Sequence, residues 1–221
     1  MVMERFDWSS TAINLESLAR SYSFSPSKSR RRFVAPGNLR GERIVFVPPT
    51  VQPILPDCRT VEDYLASLPV DLGEHLVLLM RSGHAAIGVG TVDELSDVKV
   101  IRRYTVRKGQ GKAQSTQEGK KVARSAGAQL RRRETAAYFS EIAQELMRRQ
   151  KAIEFCRRLI IGSPVRLWPE LFGTRDPLPF QADDPRLSKI PLDIKTPNRE
   201  GLERFNRGLA RGYWAVETES F

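Results

Sequence analysis

The segment 75–106, HLVLLMRSGHAAIGVGTVDELSDVKVIRRYTV, carries the clearest fold signal in the chain. Residues 75–80 are continuously apolar, as expected of a strand that is buried on both faces. A turn at 81–83 leads to a strand of small residues, 85–89, and a polar turn at 93–97 leads to a third strand, 99–106. Because the connections are too short for crossovers, the three strands are predicted to form an antiparallel meander.

The chain after this meander alternates between helical and strand patterns. A long helix, broken once, is predicted over 125–157, with apolar residues at helical spacing from Phe139 to Met147. Short strands follow at 159–162 and at 189–192, and the proline of the second places it at a sheet edge. Helices are predicted at 165–172, ended by a glycine, and at 198–209. The pattern predicts an α/β domain with a mixed sheet covered by helices.

Residues 1–70 give weaker signals. Residues 42–47 (ERIVFV) form a short predicted strand, and Thr60 with Asp63 is typical of a helix start. Residues 21–32 are rich in serine and end in basic residues. We therefore predict a partly ordered, basic N-terminal extension over 1–70, an α/β domain over 71–212 and a C-terminal tail over 213–221.

Residues 102–133, RRYTVRKGQGKAQSTQEGKKVARSAGAQLRRR, hold the whole net charge of the protein. They contain eleven basic side chains and one acid, so their net charge is +10, the same as that of the chain. Such a concentration of cations indicates a polyanionic partner, and nucleic acid is favoured over a membrane surface. The cations predicted to contact RNA phosphates are Arg102, Arg103, Arg107, Lys108, Lys112, Lys120, Lys121, Arg124, Arg131 and Arg132.

The centre of this stretch, 108–117, has two glycines, three glutamines and no apolar residue larger than alanine. Nothing in it could anchor a core, so an exposed loop between the third strand and the long helix is predicted. Composition alone does not distinguish Gln110, Gln114 and Gln117 as candidates for a functional side chain.

Other classes of function have little support in the sequence. The longest apolar runs are too short for a membrane span, so no membrane partner is expected. Cys58 and Cys156 stand alone and make neither a disulfide framework nor a metal-site spacing, which fits a reducing cytoplasm. No metal and no cofactor are expected.

Three segments in order resemble the Vms-type release-factor-like family of tRNA hydrolases and endonucleases that act in ribosome-associated quality control. They are RRYTVRKGQGKAQS (102–115), ARSAGAQLRRRE (123–134) and DDPRLSKIPLDI (183–194). The family patterns are similar to HRYTVR…G-x-x-Q, SAGSSLRRYNE and DPR…IPL at similar spacing. The likeness covers roughly residues 72–210.

The resemblance implies an RNase H-like mixed sheet, as in the catalytic middle domain of archaeal and eukaryotic peptide-release factors. It implies that Gln114 and Gly111 are the catalytic loop residues, in a Gly-x-x-Gln arrangement. It also implies a cytoplasmic, ribosome-associated monomer whose partners are peptidyl-tRNA and the large ribosomal subunit. Nascent chains would be freed by ester hydrolysis or by cutting the tRNA near its 3′ CCA end.

The chemistry of glutamine suits this role. Its amide does not titrate near neutral pH, but it can orient a water or a 2′-hydroxyl through both its carbonyl and its NH₂ group. The alternative is a non-catalytic protein whose loop only contacts ribosomal RNA. A metal-dependent nuclease is a third, less favoured hypothesis.

Overall fold

The computed structural model describes residues 3–29, 31–39, 41–103 and 117–218, without the side chains of 117–128 and of residue 131. The chain divides into two compact units, Met1–Leu72 with Phe205–Phe221, and Gly73–Arg204. The described elements are β1 (Met3–Asp7), α1 (Thr11–Ala19), β2 (Ser25–Pro26), β3 (Phe33–Pro36), β4 (Glu42–Val47), α2 (Val61–Ser67), β5 (His75–Arg81), β6 (His84–Gly90), β7 (Leu95–Arg102), α3 (Gln117–Arg148), α4 (Gln150–Phe155), β8 (Arg158–Ser163), α5 (Leu167–Phe172), β9 (Leu187–Pro191), α6 (Arg199–Leu209) and β10 (Arg211–Thr218).

The unit Gly73–Arg204 contains the predicted mixed sheet, in the order β7-β6-β5-β8-β9. Strands β5, β6 and β7 form the predicted antiparallel meander. Strand β8 runs parallel to both β5 and β9, and β9 is the predicted edge strand. The expected α/β fold with an RNase H-like mixed sheet is confirmed.

The third strand begins earlier than predicted. The N–H of Thr91 donates to the carbonyl of Glu94 over 2.9 Å, which closes the turn, and β7 starts directly afterwards. The polar turn predicted at 93–97 is therefore wrong in its second half. The register of β6 and β7 shifts between Ile87 and Val89, which marks an irregularity of the ladder at Gly88. Residues 104–106 of the predicted strand lie outside the described residues.

The sheet is buried by the apolar face of α3. Tyr138, Phe139, Ile142 and Leu146 of this helix are at most 3% exposed and pack with the apolar side chains of β5, β6 and β8. The predicted single break is confirmed, since α3 ends before Arg149 and α4 begins after it. The helix starts at Gln117 rather than at Ser125. Among the described helices, none combines the length and the apolarity that crossing a bilayer requires.

The other unit has a sheet of its own, in the order β1-β10-β4-β3-β2, with every neighbouring pair antiparallel. Its core combines Phe6, Phe33, Phe46 and Tyr64 with the partly buried Trp214. Residues 213–218, predicted as a tail, belong to β10, which lies between β1 and β4. The extension predicted over 1–70 is likewise a packed part of this unit, because burying these aromatic side chains stabilises the sheet.

Candidate nucleic-acid interface

The candidate site is the basic stretch 102–133, which begins at the end of β7 and continues into α3. The segment 104–116 joins these two elements and lies outside the described residues. It contains the predicted catalytic pair, Gly111 and Gln114, and three of the predicted RNA contacts, Arg107, Lys108 and Lys112. The remaining predicted contacts are carried by β7, by residue 103 and by α3.

No described side chain in the first part of α3 is fully buried. Every described side chain in 129–137 is exposed or half-buried, and even Leu130 is 60% exposed. The buried face begins at Tyr138. The helical residues before Tyr138 span about 30 Å at 1.5 Å per residue. This is the basic half of α3, Gln117–Ala137, and its backbone carries Lys120, Lys121, Arg124, Arg131 and Arg132.

Two contacts fix α3 to the sheet where this basic half ends. The Tyr138 hydroxyl lies 2.7 Å from the carbonyl oxygen of His84 and 2.9 Å from that of Arg81, and it shares its proton between them. The guanidinium Nε of Arg103 donates to Glu141 over 2.8 Å. We call Arg103, Tyr138 and Glu141 the β7–α3 clamp. It holds the chain entering the segment 104–116 against α3.

The structure gives the two arginines at the end of β7 different surroundings. Arg103 is paired with Glu141, and this carboxylate raises the pKa of Arg103 above its ordinary value. Its side chain therefore has an internal partner that the charge pattern did not reveal. Arg102 is exposed and pairs through its backbone with His84. RNA contact by either arginine stays a prediction.

The described residues offer little to other catalytic classes. Among them, no three His, Cys, Asp or Glu side chains come together in a way that could hold a metal ion. Burial raises the pKa of the Cys156 thiol to about 11, so this side chain is protonated at neutral pH and is a poor nucleophile.

The third sequence segment, with Asp184 and Arg186, has a structural role. The guanidinium of Arg186 binds both carboxylate oxygens of Asp184, at 3.1 and 2.8 Å. It also donates to the carbonyls of Ile153, Glu154 and Cys156 at the end of α4, over 3.0 to 3.3 Å. Carbonyls in the last turn of a helix lack the regular intrahelical donor, although that of Ile153 also accepts from the N–H of Cys156 over 3.2 Å. Arg186 therefore caps α4 and ties it to β9.

An Arg186→Ala protein is expected to lose about 2 kcal/mol of unfolding free energy at pH 7, because several charge-assisted hydrogen bonds disappear together. The bonds from Arg186 lower the pKa of Asp184, so their stabilisation is present at neutral pH and fades as the carboxylate is protonated. The deficit of the variant should therefore shrink below about pH 4. Urea unfolding at pH 7 and pH 3 measures both effects.

The matched control is Arg204→Ala, which removes an exposed pair with Glu200 on α6, where the two side chains are 71% and 79% exposed. Its cost should stay below about 0.5 kcal/mol. Equal losses in the two variants would contradict the capping role of Arg186.

Comparisons with known proteins show the family of the chain. A family model described as the Bacteroidetes VLRF1 release factor matches residues 75–215, which is more than half of the chain. The chain belongs to the Bacteroidetes VLRF1 release factor family. The resemblance to the Vms-type release-factor-like family is thereby confirmed, and the VLRF1 match includes the mixed sheet, the basic stretch and the Asp184–Arg186 cap.

Two curated relatives and one solved structure are also similar to this VLRF1 family member. The protein is 34% identical over 132 residues to the tRNA endonuclease ANKZF1 of Bos taurus and 33% identical over 132 residues to that of Homo sapiens. Each match takes in 58% of this chain and 18% of the relative, so the chain spans about a fifth of their length. A structure described as the Vms1 mitochondrial localization core is similar over 95% of this chain and 82% of that one, with a TM-score of 0.50 and 10% identity. At that identity the likeness concerns the fold.

Proposed function

We propose that this VLRF1 family member frees nascent chains from peptidyl-tRNA on obstructed large ribosomal subunits in the cytoplasm. The bond broken is either the peptidyl ester or a phosphodiester near the 3′ CCA end of the tRNA. Gln114 aligns the attacking oxygen, and Gly111 lets the backbone of the loop approach the substrate closely.

The observation that carries this proposal is the pair of described elements that flank the segment 104–116 in sequence. The chain before the segment is held at the β7–α3 clamp and the chain after it is the basic half of α3, so cationic residues stand on both sides of the segment in sequence. Cations in this number bind RNA phosphates, and the release of counterions makes such binding strong at low salt. The family description as a release factor and the relatives' names as tRNA endonucleases support the same substrate class.

A glutamine alone cannot remove a proton at neutral pH. In this proposal Gln114 therefore acts by positioning, and the ribosome supplies the remainder of the site. Positioning of this kind can lower the activation free energy by several kcal/mol, on the order of 7 kcal/mol when the reacting groups are fully aligned.

The experiment that tests the proposal incubates the protein with large ribosomal subunits that carry peptidyl-tRNA, and sequences the 3′ end of the tRNA product. Release with an intact CCA end identifies ester hydrolysis, and release with a shortened end identifies endonucleolytic cutting. Binding to the subunit without any release would overturn the enzymatic proposal and favour the non-catalytic alternative. Release that stops when EDTA is added would favour a metal-dependent nuclease.

A further inference from the structure

A groove of about 870 Å³, open to solvent, lies between α3 and the residues that end α5 and follow it. On the α3 side it is lined by Arg132, Ala136, Phe139 and Ser140, which share one helical face because the last three lie four, seven and eight residues after Arg132. The other side includes Glu170, Gly173, Thr174, Arg175 and Asp176. The groove therefore begins in the basic half of α3 and extends to a loop outside the basic stretch.

The two arginines of this groove differ from three paired arginines of the same unit. Arg103, Arg149 and Arg186 each form ion pairs at 2.8 Å or closer. Within the part of the chain that the structure describes, the side chains of Arg132 and Arg175 form no ion pair and no hydrogen bond. Both are exposed. Two guanidinium groups that come from different elements and lack an internal partner are available to an anionic ligand.

From this arrangement we infer that the groove binds the sugar-phosphate backbone of RNA, with Arg132 and Arg175 each contacting a phosphate. The inference rests on the proposed function and names a second contact surface for the same substrate. Arginine suits this task because its planar fork of donors matches the geometry of a phosphate.

The other polar groups of the groove fit a ribonucleotide better than an isolated anion. The Ser140 hydroxyl can donate to a phosphate oxygen, and the Glu170 carboxylate can accept a hydrogen bond from a ribose 2′-hydroxyl or a base amino group. The carboxylate of Asp176 lies 3.5 Å from the Thr174 hydroxyl and keeps further acceptor positions. The two carboxylates would repel a small inorganic anion, whereas the ribose hydroxyls and base amino groups of RNA can donate hydrogen bonds to them.

The test measures binding of the full chain to deacylated tRNA by fluorescence anisotropy, from 50 to 300 mM KCl. An Arg132→Ala, Arg175→Ala double variant should bind about tenfold more weakly near 150 mM salt. The plot of log affinity against log salt should lose between about 1 and 2 units of slope, because two phosphate contacts are removed. The control variant, Lys151→Ala with Arg211→Ala, removes the same charge at exposed positions that do not line the groove and should leave the slope unchanged.

A second measurement locates the RNA. A photo-crosslinking amino acid, p-benzoylphenylalanine, placed at Ala136 should crosslink to tRNA, whereas the same group at the exposed Glu154 should not. An unchanged salt slope in the groove double variant, or no crosslink from Ala136 while tRNA binds, would overturn the groove site and leave the proposed function standing. Absence of tRNA binding by the unsubstituted protein at 50 mM salt would overturn both.

Discussion

A Gln114→Ala protein is expected to release peptidyl-tRNA from large ribosomal subunits about 100-fold more slowly than the unsubstituted protein, with its affinity for the subunit unchanged. Removing one positioned hydrogen-bonding group from a reactive centre typically lowers the rate constant by 100-fold to 1000-fold. A 100-fold loss corresponds to about 2.7 kcal/mol of transition-state stabilisation. Alanine keeps the backbone but removes both the carbonyl and the NH₂ group of the side chain.

The affinity should persist because binding depends on the cations around Gln114 and not on its uncharged amide. Single-turnover release at saturating protein measures the chemical step, and sedimentation with the subunits measures binding. Separating the two quantities matters, since a loss of binding alone would also slow release at low protein concentration.

Two other glutamines of the basic stretch provide the controls. Gln110→Ala and Gln117→Ala remove the same side chain at nearby positions and should change the release rate less than about threefold, since neither is assigned a contact with reacting atoms. Release by Gln114→Ala at the unsubstituted rate would contradict the assignment. If Gln110→Ala or Gln117→Ala were the slow variant, the working glutamine would have to be moved to that position.

Features encoded within a few residues were predicted correctly from the sequence. Thr60 caps α2 as its spacing from Asp63 indicated, since its hydroxyl accepts from the N–H of Asp63 over 3.1 Å while the carboxylate accepts from the N–H of Thr60 over 3.0 Å. The order and antiparallel pairing of the meander followed from a continuous apolar run and short connections. Both signals depend on local geometry, which a single sequence displays directly.

The sheet of the other unit could not be predicted in the same way. In it, β10 pairs with β1 and with β4, so residues such as Ala215, Met3 and Val45 become neighbours although they are distant in sequence. A local pattern in β10 indicates neither of these pairings. Residues 213–218 are rich in apolar and aromatic side chains, which was the one signal that argued against a tail.

The sequence predicted which residues make up the candidate site but not which residues they contact. The charge pattern identified the basic stretch, yet it could not show that Arg103 is occupied by Glu141, which lies 38 residues further on. Arg175 was missed because it stands alone among prolines and acids, and only the folded chain places it in one groove with Arg132. The early start of α3 was missed because residues 117–124 lack the apolar periodicity by which helices are recognised.

An Arg149→Ala protein is expected to lose about 3 to 5 kcal/mol of unfolding free energy. The Arg149 side chain is 4% exposed and donates to the Glu145 carboxylate over 2.7 Å and to the carboxylate of Asp97 over 2.8 Å. It also donates to the backbone carbonyl of Asp97 over 3.1 and 3.2 Å. These bonds join the end of α3 to β7 at Asp97, where the backbone has a positive φ of 47°. Without the guanidinium, the Glu145 carboxylate, which is 6% exposed, loses its closest partner.

The neighbouring Arg148 provides a matched control, because it pairs with the same Glu145 carboxylate over 3.1 Å but is 69% exposed. Arg148→Ala should cost less than about 1 kcal/mol, since an exposed arginine is well solvated when unpaired. Replacing both buried partners, as Arg149→Met with Glu145→Leu, should recover much of the stability lost in Arg149→Ala, because no buried charge is then left alone. Urea unfolding followed by far-UV circular dichroism measures all three variants. If Arg149→Ala cost no more than Arg148→Ala, the stability of α3 on the sheet would have to come from its apolar face alone, and the buried pair would contribute nothing net.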